Sequence, residues 1–262
     1  MKSFQKFTAP NNKNRTRPRF ETILIGALLV ALLASLVLNV LLFKQGKQYY
    51  HDLNSLRLDP IGLSYFLEPE DLNSDFPLVV FYGDSRAAGW PAPETSEFVF
   101  LNRGIGAQTT EQVLERFDAH IKPLSPDVII IQAGINDLKT LPLFPDDKRI
   151  IIANCKENIQ ELITRSSDLG ATVILTTIFP VGEPSLERKL FWSDEVSEAV
   201  VEVNDYLHSL AGERIVIFDT YDILVGKDEK IASEYSQDLL HLSEYGYQVL
   251  NNELATLLAD LP

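Results

Sequence analysis

A stretch of 22 residues without a charge, Thr22 to Phe43, constrains this 262-residue chain more than any other feature. As an α-helix rising about 1.5 Å per residue, it would be roughly 33 Å long, which matches the roughly 30 Å hydrocarbon core of a bilayer. Every face of such a helix is apolar and its flanks are polar, which argues against a buried core helix. The segment therefore predicts a transmembrane helix over residues 22–43.

A cleaved signal peptide is the alternative interpretation of this segment. The apolar part of a signal peptide usually runs for about 7–15 residues and ends at a small-x-small cleavage site. Here the apolar part is longer and leads into Leu41, Leu42, Phe43 and Lys44. This favours an uncleaved anchor.

The charges on either side of the segment predict its orientation. Residues 1–20 contain six Lys and Arg and no acidic residue, whereas only two lysines follow the span directly. Because strongly basic flanks stay in the cytoplasm, the N-terminus is expected to be cytoplasmic. The chain is thus expected to be a single-pass membrane protein with a basic arm at 1–21, a stalk or lead-in at 44–76, and a periplasmic or extracellular domain at 77–262.

Composition excludes several functions for the part of the chain beyond the span. Residues 44–262 carry 17 basic and 36 acidic side chains. This excess argues against a nucleic-acid partner, because phosphate backbones attract basic faces. The single cysteine, Cys155, has no partner for an internal disulfide, and four histidines without a Cys/His cluster argue against a structural zinc site.

From Leu78 onward, apolar runs of strand length alternate with longer amphipathic stretches. The runs predict strands at 78–83, 98–102, 127–134, 172–178 and 214–219. They are apolar at successive positions, which is typical of parallel strands covered on both faces. Helical spacing of apolar residues predicts helices at 110–121, 148–169, 194–210 and 243–258. The alternation predicts an α/β domain with a doubly wound parallel sheet.

Sites in such sheets form outside the carboxyl ends of the strands, and polar motifs follow the predicted strands there. Asn136, after the third strand, carries an amide that can donate to a developing oxyanion. Asp238 lies three residues before His241, close enough to hold the imidazole while it takes a proton from a serine. Each motif alone is equally compatible with an ordinary turn or helix cap.

Taken together, four blocks resemble the SGNH, or GDSL-type, serine esterase and lipase superfamily: GDSR (83–86), NRGIGAQTT (102–110), AGIND (133–137) and DLLHLSEYGYQVLN (238–251). The resemblance implies a flavodoxin-like, three-layer hydrolase domain over 77–262. It also implies roles for individual residues, with Ser85 as nucleophile and Asp238 with His241 as the acid–base pair. No metal or organic cofactor is implied.

The oxyanion hole implied by the resemblance consists of the N–H of Ser85, the amide of Asn136 and a backbone N–H of the second block. The usual glycine donor aligns with Ala107, and Gly106 is the alternative donor. Alanine is unstrained there if its φ is negative, and otherwise costs roughly 1 kcal/mol or more. Arg86 replaces the leucine of the GDSL name, which is expected to leave the nucleophile untouched.

The implied reaction is cleavage of a carboxylic ester through an acyl-enzyme. A membrane-anchored enzyme of this kind is expected to act on acetyl or short acyl esters of envelope polysaccharide, or on lysolipid-type esters. The segment 178–192 and Trp90 are candidates for the pocket wall. Two alternatives stay open: an O-acyltransferase using the same triad, and a catalytically idle polysaccharide-binding or assembly factor.

Overall fold

The structure, a computed structural model, describes residues 20–67 and 75–261. The predicted basic arm at 1–21, apart from its last two residues, lies outside the described residues. The same holds for residues 68–74 of the predicted stalk.

The chain divides into two units, residues 1–58 and 59–262. In its described part the first unit is one helix, α1 (Phe20–Leu58), which contains the whole predicted span and has no buried residue. Among the described residues, α1 is the one helix that is long and apolar enough to cross a bilayer. The helix continues past Phe43, so the segment predicted as a stalk begins in helical form.

The second unit is built on a five-stranded, wholly parallel sheet in the order β2-β1-β3-β4-β5. The strands are β1 (Leu78–Gly83), β2 (Val99–Gly104), β3 (Val128–Gln132), β4 (Thr172–Thr176) and β5 (Ile215–Phe218). Each begins and ends within two residues of a predicted run. The doubly wound parallel sheet is confirmed, and its strand order is the flavodoxin-like one.

Helices connect and cover these strands. They are α2 (Ser85–Ala88), α3 (Thr110–Glu115), α4 (Phe117–His120), α5 (Ile135–Leu138), α6 (Lys148–Asp168), α7 (Glu195–His208), α8 (Thr220–Leu224) and α9 (Glu244–Ala259). The helix predicted over 110–121 is interrupted at Arg116, which separates α3 from α4. At this break the buried Arg116 side chain donates to the carbonyl oxygens of Gly83 and Arg103.

Successive residues of the strands point into two separate apolar clusters. Val80 and Ile129 pack on one face of the sheet with residues of α3, α6 and α7. Val79 and Ile130 pack on the other face with residues of α9. This three-layer burial explains why successive positions of β1 and β3 are apolar, and burying each such side chain stabilises the fold by about 1.5–3 kcal/mol.

The strand order reverses at β1, which lies between β2 and β3, and a crevice forms at this switch point outside the carboxyl ends. Gly83 ends β1 there with φ +149°. A Cβ at this position would lie 1.7 Å from the Gln132 carbonyl oxygen, so only glycine fits. The chain thereby turns directly from the buried strand into Asp84 and Ser85.

Candidate active site

Ser85 begins α2 immediately after β1 and is half-buried. Asp84 caps this short helix, with its carboxylate accepting the Arg86 N–H at 2.8 Å. The Ser85 hydroxyl lies 3.1 Å from Nε2 of His241, 156 residues further along the chain. The structure therefore brings the predicted nucleophile and the predicted base into hydrogen-bonding contact.

Asp238 holds His241 from the other side of the imidazole ring. Its Oδ2 lies 2.9 Å from Nδ1 of His241, and its Oδ1 accepts the N–H groups of Leu240 at 2.8 Å and His241 at 2.9 Å. Partial burial acts to raise the pKa of Asp238, but these hydrogen bonds outweigh it and lower the pKa to about 2. An ionised Asp238 favours the tautomer with a proton on Nδ1, which leaves Nε2 free to accept one from Ser85.

The loop after β2 carries the two candidate backbone donors. A Cβ built on Gly106 would lie 3.9 Å from the Ser85 Cβ, so this residue is directly beside the nucleophile. Ala107 has φ +64°, which is not the negative φ that would leave an alanine unstrained. A left-handed alanine costs about 1–2 kcal/mol.

Asn136 lies in α5, after β3, and is buried. Its Nδ2 donates to the Gln108 carbonyl oxygen at 2.9 Å, so its amide lies against the same loop. Lys139 donates to its Oδ1 at 2.5 Å. A charged donor on the oxygen polarises an amide and makes its N–H groups stronger donors. Sequence reasoning missed Lys139, although its position three residues after Asn136 on a short helix was a signal.

Arg86 is a second residue whose contribution the sequence did not reveal. Its guanidinium is fully buried and donates to three carbonyl oxygens, those of Leu240 at 2.8 Å, Phe179 at 3.1 Å and Pro180 at 3.3 Å. The Leu240 contact fixes the residue next to His241 to the residue next to Ser85. The side chain that replaces the leucine of the motif thus joins the two halves of the site.

Two acidic residues of the motifs are buried behind the site. Burial raises the pKa of Asp84 to about 6, against the opposing effect of Arg86. Burial likewise raises the pKa of Asp137 to about 6, although the Thr110 hydroxyl and N–H donate to its carboxylate at 2.7 and 2.9 Å. Asp137 therefore ties α5 to the start of α3, and the hydrogen bonds of the two carboxylates go to Arg86 and Thr110 rather than to the Ser85 hydroxyl.

A cavity of about 860 Å³ borders the site at Asp238. Its lining includes Glu183 and Arg188 from the predicted wall segment 178–192, and Lys230, which forms an ion pair with Glu183. The expectation that Trp90 also forms the pocket wall is wrong. Trp90 is 2% exposed and packs in the apolar cluster beneath α9, where its indole N–H donates to Asn251.

Within the described ranges 20–67 and 75–261, no group of three or more His, Cys, Asp or Glu side chains is arranged to hold a metal ion. Cys155 is buried and unpaired, as a member of the core cluster on α6.

Replacing Arg86 by leucine is expected to lower the free energy of unfolding by about 3 kcal/mol or more at pH 8. The substitution leaves a buried carboxylate without its counter-charge and three carbonyl oxygens without a donor. Burial raises the pKa of Asp84 to about 6 although Arg86 acts to lower it, so loss of Arg86 raises this pKa further and adds a cost of ionising Asp84 that grows as pH rises above about 6. The deficit of Arg86→Leu should therefore be smaller at pH 5.

Urea unfolding of the full chain in detergent at both pH values measures this effect. The matched control is Arg165→Leu, since Arg165 pairs with Glu161 on the surface at 2.9 Å and contributes at most about 1 kcal/mol. Equal, small deficits for both variants would contradict the proposed role of Arg86.

Comparison with known proteins gives a family and a fold. The model of the GDSL-like lipase/acylhydrolase family matches residues 81–249. The chain is 29% identical over 141 residues to the uncharacterized lipoprotein YqeF of Bacillus subtilis, a match that covers 47% of this chain and 57% of that protein. The chain thus spans little more than half the length of this curated relative.

Several solved structures share the fold, and two of them are lipases of known source. A GDSL-like lipase from Bacteroides thetaiotaomicron superposes with a TM-score of 0.55 at 21% identity, covering 70% of this chain and 88% of the lipase. A lipase/acylhydrolase from Enterococcus faecalis gives a TM-score of 0.53 at 22% identity, covering 70% and 95% of the respective chains.

Proposed function

The chain belongs to the GDSL-like lipase/acylhydrolase family, and on this premise we propose that it is a carboxylic ester hydrolase in which Ser85, His241 and Asp238 form the catalytic triad. The observation that carries the proposal is the continuous series of hydrogen bonds from the Ser85 hydroxyl through His241 to Asp238, with separations of 3.1 and 2.9 Å. A nucleophile, a base and a group that orients the base are the three parts that acyl transfer needs.

In the first half of the reaction, Nε2 of His241 takes the hydroxyl proton of Ser85 as Oγ bonds to the ester carbonyl carbon. The carbonyl oxygen becomes an oxyanion, which accepts hydrogen bonds from the N–H of Ser85, an N–H of Gly106 or Ala107, and the Asn136 amide. The C–O bond to the alcohol then breaks, His241 gives its proton to the departing oxygen, and an acyl-enzyme ester remains on Ser85.

In the second half, water attacks the acyl carbon while His241 removes one of its protons. The second tetrahedral intermediate collapses with the proton returning to Ser85, and the carboxylic acid leaves. Asp238 stays ionised throughout and stabilises the imidazolium in both halves. Because the three oxyanion donors act on charge that develops only in the transition state, they raise kcat rather than substrate affinity.

Ser85→Ala and His241→Ala are each expected to lower kcat for p-nitrophenyl acetate by about 10⁴-fold or more, because the nucleophile or its base is lost. Wild-type protein should be labelled by a fluorophosphonate on Ser85, and Ser85→Ala should not. The matched control is His208→Ala, which removes a second His–Asp pair, with Asp219 at 3.2 Å, on the protein surface. Full esterase activity in Ser85→Ala would refute the triad.

We further propose that the alcohol part of the substrate is rich in hydroxyl groups, as in an acetylated envelope polysaccharide. The cavity beside Asp238 supports this, since charged side chains of both signs line it, among them Arg188, Lys230 and Asp228. Such groups can hydrogen-bond the hydroxyl groups of a saccharide.

Release of acetate from acetylated polysaccharide is accordingly expected to exceed release of fatty acid from a lysophospholipid at equal ester concentration. Arg188→Ala should weaken the first reaction, chiefly through KM, and leave turnover of p-nitrophenyl acetate unchanged. Preferential hydrolysis of the lysophospholipid would favour the lysolipid alternative instead.

We also propose that residues 22–43 anchor the enzyme with its N-terminus in the cytoplasm and the catalytic domain outside. The apolar helix α1 supports anchoring, and the relative YqeF, named a lipoprotein, is similar to this chain over 141 residues. Orientation follows from the basic residues before the span.

Because the single cysteine is buried, introduced cysteines can report the orientation. A membrane-impermeant maleimide should label Ser209→Cys in cells or spheroplasts, and should label Ser3→Cys only after lysis. The reverse pattern would place the domain in the cytoplasm.

A further inference from the structure

The residues that follow α1 form an ordered turn. Within this post-helix segment, defined as Asp59–Phe66, the carboxylate of Asp59 accepts the N–H of Leu63 at 2.7 Å and the N–H and hydroxyl of Ser64 at 2.8 and 2.6 Å. These bonds lower the pKa of Asp59, with the Ser64 hydroxyl bond making the largest contribution. The segment therefore has a defined shape of its own.

This segment packs on the loop that carries the candidate oxyanion donors. Gln108 donates through Nε2 to the Ile61 carbonyl oxygen at 2.8 Å, and Gln112 donates to the Pro60 carbonyl oxygen at 2.6 Å. Gly62 is buried against the same loop, where a Cβ would lie 2.8 Å from Cδ1 of Ile105.

The far end of the segment is held by a ring contact. The guanidinium carbon of Arg103 lies 4.5 Å from the centre of the Phe66 ring, and the imidazole of His120 meets that ring edge-on at 5.4 Å. Arg103 belongs to β2, so the segment touches both the strand and the loop that follows it.

Gln108 connects these contacts to the reaction centre. Its Oε1 accepts from Nε of Arg116 at 2.5 Å, and its backbone oxygen accepts from the Asn136 amide at 2.9 Å. Arg116 in turn donates to the Gly83 carbonyl oxygen, two residues before Ser85, at 2.8 Å. One buried glutamine thus contacts the post-helix segment, an oxyanion-hole amide and the group that holds the end of β1.

We propose that Gln108 is a positioning residue. When the post-helix segment packs against Gln108, this side chain holds the donors at 106, 107 and 136 in place. The inference rests on the proposed function and deepens it, because it makes a segment outside the family-matched region part of the catalytic machinery. Ala107 stands in a left-handed conformation that an alanine does not hold unaided. Its neighbour Gln108 is held at both atoms of its side-chain amide, Nε2 by the Ile61 carbonyl oxygen and Oε1 by Arg116.

The physical reason is that oxyanion donors contribute only when their N–H groups point at the developing charge. Loss of one donor costs about 10²–10³ in kcat, and a displacement of about 1 Å can cost about 10². Release of Gln108 from Ile61 frees its side chain to rotate and loosens the loop that carries the donors. The ground state of the bound ester makes little use of these bonds, so KM should hardly change.

The test changes only residues of the post-helix segment and leaves every residue of the candidate active site unsubstituted. The double variant Asp59→Ala/Gly62→Val removes the acceptor that shapes the turn and places a side chain where Ile105 and Gln108 lie. Gly170→Val is the matched control for backbone strain, since Gly170 has φ +82°, close to the +78° of Gly62, but has nothing within 4 Å of its Cβ position. All variants are made in the full chain in detergent micelles.

The double variant is expected to lose about tenfold in kcat for p-nitrophenyl acetate, per active site titrated with fluorophosphonate, with KM within about twofold of wild type. Gly170→Val should lower the midpoint of unfolding but keep the wild-type kcat per site. A wild-type kcat in the double variant overturns the inference, and so does an equal loss in Gly170→Val. If Ser85→Ala stays active, the proposed triad fails instead.

Discussion

The burial of the parallel sheet on both faces determines where polar side chains can lie in this protein. No position within β1 or β3 is open to water, and a charge there would have no partner. The polar residues of the candidate site therefore lie beyond these strands, with Asp84 and Ser85 directly after β1 and Asn136 in the short helix that follows β3. Because neighbouring parallel strands end at one edge, separate short motifs meet in a single crevice.

Burial at this edge creates a second requirement, which two arginines meet. The carbonyl oxygens at the strand ends and in the loops above them need donors, and Arg86 and Arg116 each supply three hydrogen bonds to them or to Gln108. The planar guanidinium suits this work because its five N–H groups point in fixed directions. The same bonds hold together the turn at Ser85, the loop at His241 and the loop after β2, so the stability of the edge and the geometry of the candidate site have one origin.

Prediction from the sequence succeeded where a feature depends on residues near one another in the chain. Strand positions, the helix over the apolar span, and the Asp238–His241 contact across three residues belong to this group. It failed for Trp90 and for the continuous helix over 110–121, because each depends on a distant partner. The contacts of Arg86 and Gln108 escaped notice for the same reason, since their acceptors lie up to 154 and 47 residues away.

The sequence by itself determined the apolar helix, the positions of the strands and the polar motifs that follow them, because periodicity and residue type act locally. Only the tertiary structure decided that Ser85 and His241 lie 3.1 Å apart, that Ala107 is left-handed, and that the segment after α1 packs on the loop after β2. These three features depend on which partners the buried donors and acceptors meet once the helices have packed on both faces of the sheet. A linear pattern specifies which groups need a partner, while the packed fold decides which partner each receives.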